Sequence, residues 1–297
     1  MRGIRTLTGA AVALGLATSL VVLPGAAADA ATRQFGTAGD VPVPGYYLPG
    51  AAKAEFAVWR PKNGTWYVLN NATGLTTTRQ WGLSGDQPVP ADYDGDGRTD
   101  YAVWRPSNGT WYIKSSNTGV VRIQQWGATG DVPVVGDYDG DGHIDFAVWR
   151  PSNGTWYIKN GSTGAVRTQQ WGQAGDIAVP GQYDIWIGDD FTVFRPGTGE
   201  WLTKGSSQFG TQTSITWGVA GDIPSGAHFN CYTSAPAVFR PSVGTWWIRG
   251  ISTPHFGAAK DIPVAADYSG DFNAEVAVWR PKNGTWYVLD NTDACIN

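Results

Sequence analysis

Apolar and polar residues alternate along this chain in short runs, each bounded by glycine, proline, asparagine or serine. One stretch shows the pattern well. Phe146 to Arg150 and Thr155 to Lys159 read as two strands. The Pro-Ser-Asn-Gly segment between them, Pro151 to Gly154, predicts a hairpin, since Asn-Gly accepts the positive φ that such turns demand. An earlier strand is predicted over Val132 to Tyr138. A later one is predicted over Val166 to Trp171, after a turn at Ser162-Thr163-Gly164. No segment keeps a helical period, so the chain reads as all-β.

The pattern repeats. An Arg-Pro pair stands at Arg60, Arg105, Arg150, Arg195, Arg240 and Arg280, at a spacing of 45 residues four times and then 40. A Trp-Gly or Phe-Gly pair closes each unit, at Phe35, Trp81, Trp126, Trp171, Trp217 and Phe256, and an aspartate follows four residues after each glycine. Six equal units of four short antiparallel strands predict a six-bladed β-propeller. A β-sandwich is the alternative, but it leaves the equal units unexplained. The N-terminal Arg33-Gln34-Phe35-Gly36 matches the fourth-strand ending Gln125-Trp126-Gly127, so the N-terminal segment is expected to complete the last blade and close the ring.

Composition refines this picture. Arg2 and Arg5, the apolar run Ala10 to Leu23 and the small residues near Ala28 and Ala30 read as a secretory signal over residues 1–30, leaving one propeller domain over 31–297. The net charge of −4 and the absence of any basic run argue against nucleic acid, and no stretch is long enough for membrane insertion. In an exported, extracellular chain the two cysteines, Cys231 and Cys295, are expected to form a disulfide.

Carboxylates cluster at one point in the unit. Asp92, Asp94, Asp96 and Asp100 hold positions 1, 3, 5 and 9 of a tight loop, and Asp137, Asp139, Asp141 and Asp145 repeat it. So many negative charges repel one another unless a cation neutralises them, and hard oxygen ligands suit calcium. The carbonyls of Arg98 and His143 would add a ligand each. In the last unit Asp267, Asp271 and Glu275 keep part of the set, but Phe272 replaces the turning glycine. Two calcium sites are expected here, with the last unit offering a weaker third. An EF-hand is excluded, because its position 12 falls on Val103 or Val148 inside a strand.

The Phe-Gly or Trp-Gly pair with its aspartate and the D-x-D-x-D-G-x-x-D loop resemble the FG-GAP (VCBS-type) repeats of integrin α-like propellers. They also resemble the lectins built on similar propellers. The resemblance implies a calcium-binding propeller that recognises a glycan or a protein. Conserved-position tryptophans, Trp59 and Trp66 with their counterparts, are expected to pack between blades, and the Arg-Pro arginines to bond neighbouring hairpins. Tyr67, Tyr112, Tyr157, Trp247 and Tyr287 point to the opposite strand face and are the candidate ligand-binding aromatics, since flat rings suit the apolar faces of sugars. His143, His228 and His255 fall in three different units and share no motif, and no nucleophile elbow or phosphate loop appears. The reading is therefore a non-catalytic, lectin-like binding module. The alternatives are a protein adhesion module and a polysaccharide-acting hydrolase or lyase.

Overall fold

The computed structural model describes residues 30–207, 210–229, 233–251 and 254–289. The expected secretory signal (residues 1–29 of it) and the expected Cys231–Cys295 disulfide lie outside the described residues. In the third unit the strands are Val132–Pro133, Phe146–Arg150, Thr155–Lys159 and Val166–Gln170, paired antiparallel in chain order. The first is shorter than the expected Val132 to Tyr138. Beyond it Val134 N–H still donates to the Ala147 carbonyl at 2.9 Å, and a bridge joins Gly136 to Asp145. The hairpin at Gly154 needs its glycine twice over. Its φ is 63°, and a Cβ there would stand 2.1 Å from the carbonyl oxygen of Gly172.

Six such sheets form the ring of a β-propeller. Five have four strands. The fifth has three among the described residues, Ile223–Ser225, Ala237–Arg240 and Thr245–Ile248, and a bridge from Thr245 to His255 stands where its fourth would end. In the last sheet the fourth strand is N-terminal: Ala30–Gln34 pairs with Thr285–Leu289, from Ala30 opposite Leu289 to Gln34 opposite Thr285. Among the described residues no helix is long and apolar enough to cross a membrane.

The core consists of six seams. Val43, Tyr47, Trp59, Trp66 and Val68 of the first blade pack on Tyr101 and Val103 of the second, and the same contact recurs around the ring. It ends with Val264, Tyr268 and Trp286 of the last blade against Ala54 and Val58 of the first. Trp66, Trp111, Trp156 and Trp286 are completely buried, and each indole N–H donates to the carbonyl of the Trp or Phe that ends its own blade, at 2.8–3.0 Å. Trp246 keeps the burial but has no such acceptor.

The arginines bond differently from the expectation. None reaches a neighbouring blade's hairpin. Arg105 Nε and Nη2 pair with both oxygens of Asp86 at 2.7 and 2.9 Å, inside one blade, and Asp86 also accepts the main-chain N–H of Leu83. The same ion pair joins Arg60 to Asp40, Arg150 to Asp131, Arg195 to Asp176, Arg240 to Asp222 and Arg280 to Asp261. This planar fork fixes the loop entering each blade to the end of its second strand. The Asp86 carboxylate is almost wholly buried, so truncating its partner leaves a charge without compensation. Arg105→Ala is expected to destabilise the protein by about 3 kcal/mol in urea titration; a loss below about 1 kcal/mol would show that the loop holds without the clamp.

A second carboxylate series ties the other end of the sheets. Glu55, Asp100, Asp145, Asp190 and Glu275 are buried and accept the N–H of the residue eight or seven positions earlier: Tyr47, Tyr93, Tyr138, Tyr183 and Tyr268. Asp100, Asp145 and Asp190 also accept one from the turn after the third strand, at Ser116, Gly161 and Ser206. Burial outweighs these donors and lifts Glu55 and Asp100 to about 7 and Asp145 and Asp190 to about 6. Their ordinary values are 4.5 for Glu and 3.8 for Asp, so between those and the raised values the folded chain holds more protons than the unfolded one. The stability they contribute is complete at low pH and is lost as pH rises through the range of about 6 to 7. With chelator present, unfolding free energy is expected to fall between pH 5 and pH 8, and Glu55→Gln with Asp190→Asn to flatten the slope. A profile that rises over this range would mean that the main-chain donors keep these carboxylates ionised.

Candidate functional site

The loops between first and second strands, and the turns between third and fourth, share one end of the sheets. At this end Asp92 organises the loop of the second blade. Its Oδ1 accepts the N–H groups of Gly95 and Asp96 at 2.7 and 3.2 Å, and its Oδ2 that of Gly97 at 2.7 Å. Asp137 does the same with Gly140, Asp141 and Gly142, and Asp267 with Gly270, Asp271 and Phe272. Folding the chain over one aspartate drives the others together. Ligand oxygens of Asp92, Asp94 and Asp96 lie within 4.8 Å of one another, as do those of Asp137, Asp139 and Asp145, and of Asp267, Asp271 and Glu275. The donor set is all carboxylate oxygen, which fits a hard divalent cation.

The two near-identical loops are not equivalent. In the second blade Asp100 is outside the cluster, occupied by Tyr93 and Ser116. In the third Asp141 is outside it. There the buried Asn160 aims its amide at Asp139 and Asp141, and this hydrogen bond holds Asp141 below the usual carboxylate range. Ser115 stands at the corresponding place in the second blade. The Arg98 guanidinium bonds Asn117, and the His143 ring lies beside Gly95 of the second-blade loop, so its imidazole faces the neighbouring blade. Phe272 takes the turn glycine's place at φ 70° and is 91% exposed. The first-blade loop ends in Glu55 and the fourth in Asp190, each held in the way described above, without a cluster among the described residues. His228 and His255 both belong to the fifth blade, which corrects the expectation of three units. His228 sits in its first loop and His255 bonds Thr245.

The candidate aromatics sit at the other end of the sheets, on the seams. Tyr112 is half-buried, with the Arg105 guanidinium 4.2 Å over its ring. Its carbonyl accepts the indole N–H of Trp81, from the blade before, at 3.0 Å. Trp126 bonds Tyr157 and Trp217 bonds Trp247 in the same way. Arginines cover Tyr67, Tyr157, Trp247 and Tyr287 at 4.3–5.0 Å. Each ring thus has one face already occupied, which the alternation of strand residues did not reveal. Trp81, Gly82, Leu83, Arg105 and Tyr112 line a shallow cavity of about 290 Å³ between first and second blades. The fourth blade departs from the series: Leu202 stands there, and Arg195 pairs with Glu200 at 3.1 Å.

Comparison with known proteins bears on this geometry. Residues 92–148, which span both regular acidic loops, match the model of the FG-GAP-like repeat family. A comparison with curated protein sequences finds no match. Among solved structures the chain is similar to an Agrocybe aegerita lectin, described with its specific recognition of non-reducing terminal N-acetylglucosamine. The two share 13% identity at a TM-score of 0.52, over 88% of this chain and 82% of that one. It is also similar to a catalytically inactive virginiamycin B lyase of Staphylococcus aureus with quinupristin, at 10% identity and a TM-score of 0.51, over 90% of both chains. At these identities the likeness is one of fold. The chain is a six-bladed β-propeller whose second and third blades carry an FG-GAP-like repeat.

Proposed function

We propose that this protein is exported and acts outside the cell as a calcium-holding propeller that binds glycans without covalent chemistry. One observation carries the reading: the recurrence, at the seams of Tyr112, Tyr157 and Trp247, of a half-buried aromatic pinned by an arginine beside the tryptophan of the previous blade. A sugar ring offers apolar C–H patches to such a wall and hydroxyls to the polar groups around it. Fixing each ring under a guanidinium removes side-chain freedom before binding, which lowers the entropic cost of recognition. Several shallow sites on one rigid ring favour multivalent glycans over single sugars. The likeness to a lectin supports this reading at the level of fold.

Calcium would be held by Asp92, Asp94 and Asp96 in the second blade and by Asp137, Asp139 and Asp145 in the third. Asp267, Asp271 and Glu275 of the last blade form the weaker set, because a bulky residue at positive φ strains that loop. When bound, the ion supplies positive charge that offsets carboxylate repulsion. Asp92 and Asp137 shape their loops with main-chain hydrogen bonds, and Asn160 lends the third-blade cluster a neutral donor that the second lacks. A Cys231–Cys295 disulfide tying the fifth blade to the last belongs to the same reading of an exported chain. A protein partner is the second reading, favoured by the exposed Phe272 on the acidic end.

Native mass spectrometry is expected to find two calcium ions on the protein. Asp94→Asn with Asp139→Asn leaves the hydrogen bonds of Asp92 and Asp137 in place and should abolish both ions and the calcium-dependent rise in melting temperature. A protein that gains no mass with calcium would end the metal reading. On a glycan array, saturable binding to a defined sugar is expected, and Tyr112→Ala with Tyr157→Ala should weaken it roughly tenfold on a multivalent surface. Absence of binding, with and without chelator, would move the assignment to a protein partner.

A further inference from the structure

Two of the seams hold an arginine of the molecule's own, at the acidic end of the sheets. Arg122, opposite Ile113 in the strand pairing, places its guanidinium 4.6 Å over the Phe146 ring of the next blade and donates to the Gly161 carbonyl at 2.7 Å. Arg167, opposite Ile158, repeats the contact. It lies 5.2 Å over Phe191 and donates to the carbonyls of Ser206 and Tyr138 at 3.1 and 2.8 Å.

The seam between last and first blades has every part of this arrangement except the arginine. Ala31 is opposite Val288 in the pairing, where Arg122 and Arg167 are opposite isoleucines. Phe56 stands where Phe146 does, Asn71 where Gly161 and Ser206 do, and Tyr268 where Tyr138 does. A cavity of about 260 Å³ lies there, lined by Ala31, Phe56, Asn71, Tyr268 and the buried Glu275. Within it Asn71 donates its amide to the Ala54 carbonyl at 3.0 Å, which leaves Asn71 Oδ1 buried and without a donor.

We propose that this seam is a binding site for a single arginine side chain of another molecule. The guanidinium would lie on the open face of Phe56 with its N–H groups toward Asn71 and Tyr268, as the two internal arginines do in their seams. Residues 290–297 contain no lysine or arginine. Arg33 and Lys53, both exposed, line the mouth. Their charge disfavours a run of basic residues, so the partner segment carries one arginine flanked by acidic residues. The site is at the opposite end of the sheets from the seam aromatics, so it stands or falls independently of glycan binding.

The test is a calorimetric titration of the protein with the tripeptide acetyl-Asp-Arg-Asp-amide. Saturable one-to-one binding is expected, at least tenfold weaker when citrulline replaces arginine, because citrulline keeps the shape and loses the charge. Ala31→Arg, which supplies the guanidinium internally, should abolish binding and raise the melting temperature. Citrulline peptide binding as well as the arginine peptide would overturn the proposal, as would no binding at all or an Ala31→Arg protein that binds like the wild type. The citrulline comparison uses unaltered protein, so it holds whatever the variant does to folding.

Discussion

Each blade buries a tryptophan that its own sheet cannot cover. Trp66, Trp111, Trp156 and Trp286 lose all contact with water only because the next blade closes over them, and their indole N–H groups then need an acceptor inside the seam. A ring of this size buries about 150–250 Å² and leaves a costly donor if that acceptor is missing. No blade is therefore a stable unit alone. In these blades the carbonyl that ends the fourth strand serves this donor. In the fifth blade the buried Trp246 indole lacks this partner.

The two ends of the sheets are held by different means. At one end six arginine–aspartate forks lie within single blades, with a permanent charge on each side. At the other end carboxylates prevail and their charge is only partly answered, by main-chain N–H groups and by protons. The first end is a rigid platform for the seam aromatics. The second responds to its surroundings, whether pH, cation or a cationic side chain.

Much of this was legible in the sequence because it repeats. The hairpins, the strand order and the number of blades follow from spacing, and so do the acidic loops. What spacing conceals is the partner of each side chain. Arg105 and Asp86 recur together in every unit, and that co-occurrence could have identified the clamp. Asp100 reads as a ligand beside Asp92, but burial and two N–H donors tie it to the fold, and Asp190 plays the same part where the acidic loop is lost. The inequivalence of the two regular loops depends on Asn160, nineteen residues past Asp141, where no motif would look.

The pairing of Ala30–Gln34 with Thr285–Leu289 also fixes the order in which the molecule can be completed. A chain emerging from its N-terminus makes its first five seams from neighbours close in sequence. The sixth must wait for residues about 250 positions downstream. Bringing them together carries the loop-closure entropy of nearly the whole chain, a contact order far above that of any single blade. Until that moment both terminal blades present unpaired strand edges and half-covered tryptophans. Thr285–Leu289 thus decides whether Ala30–Gln34 is ever protected.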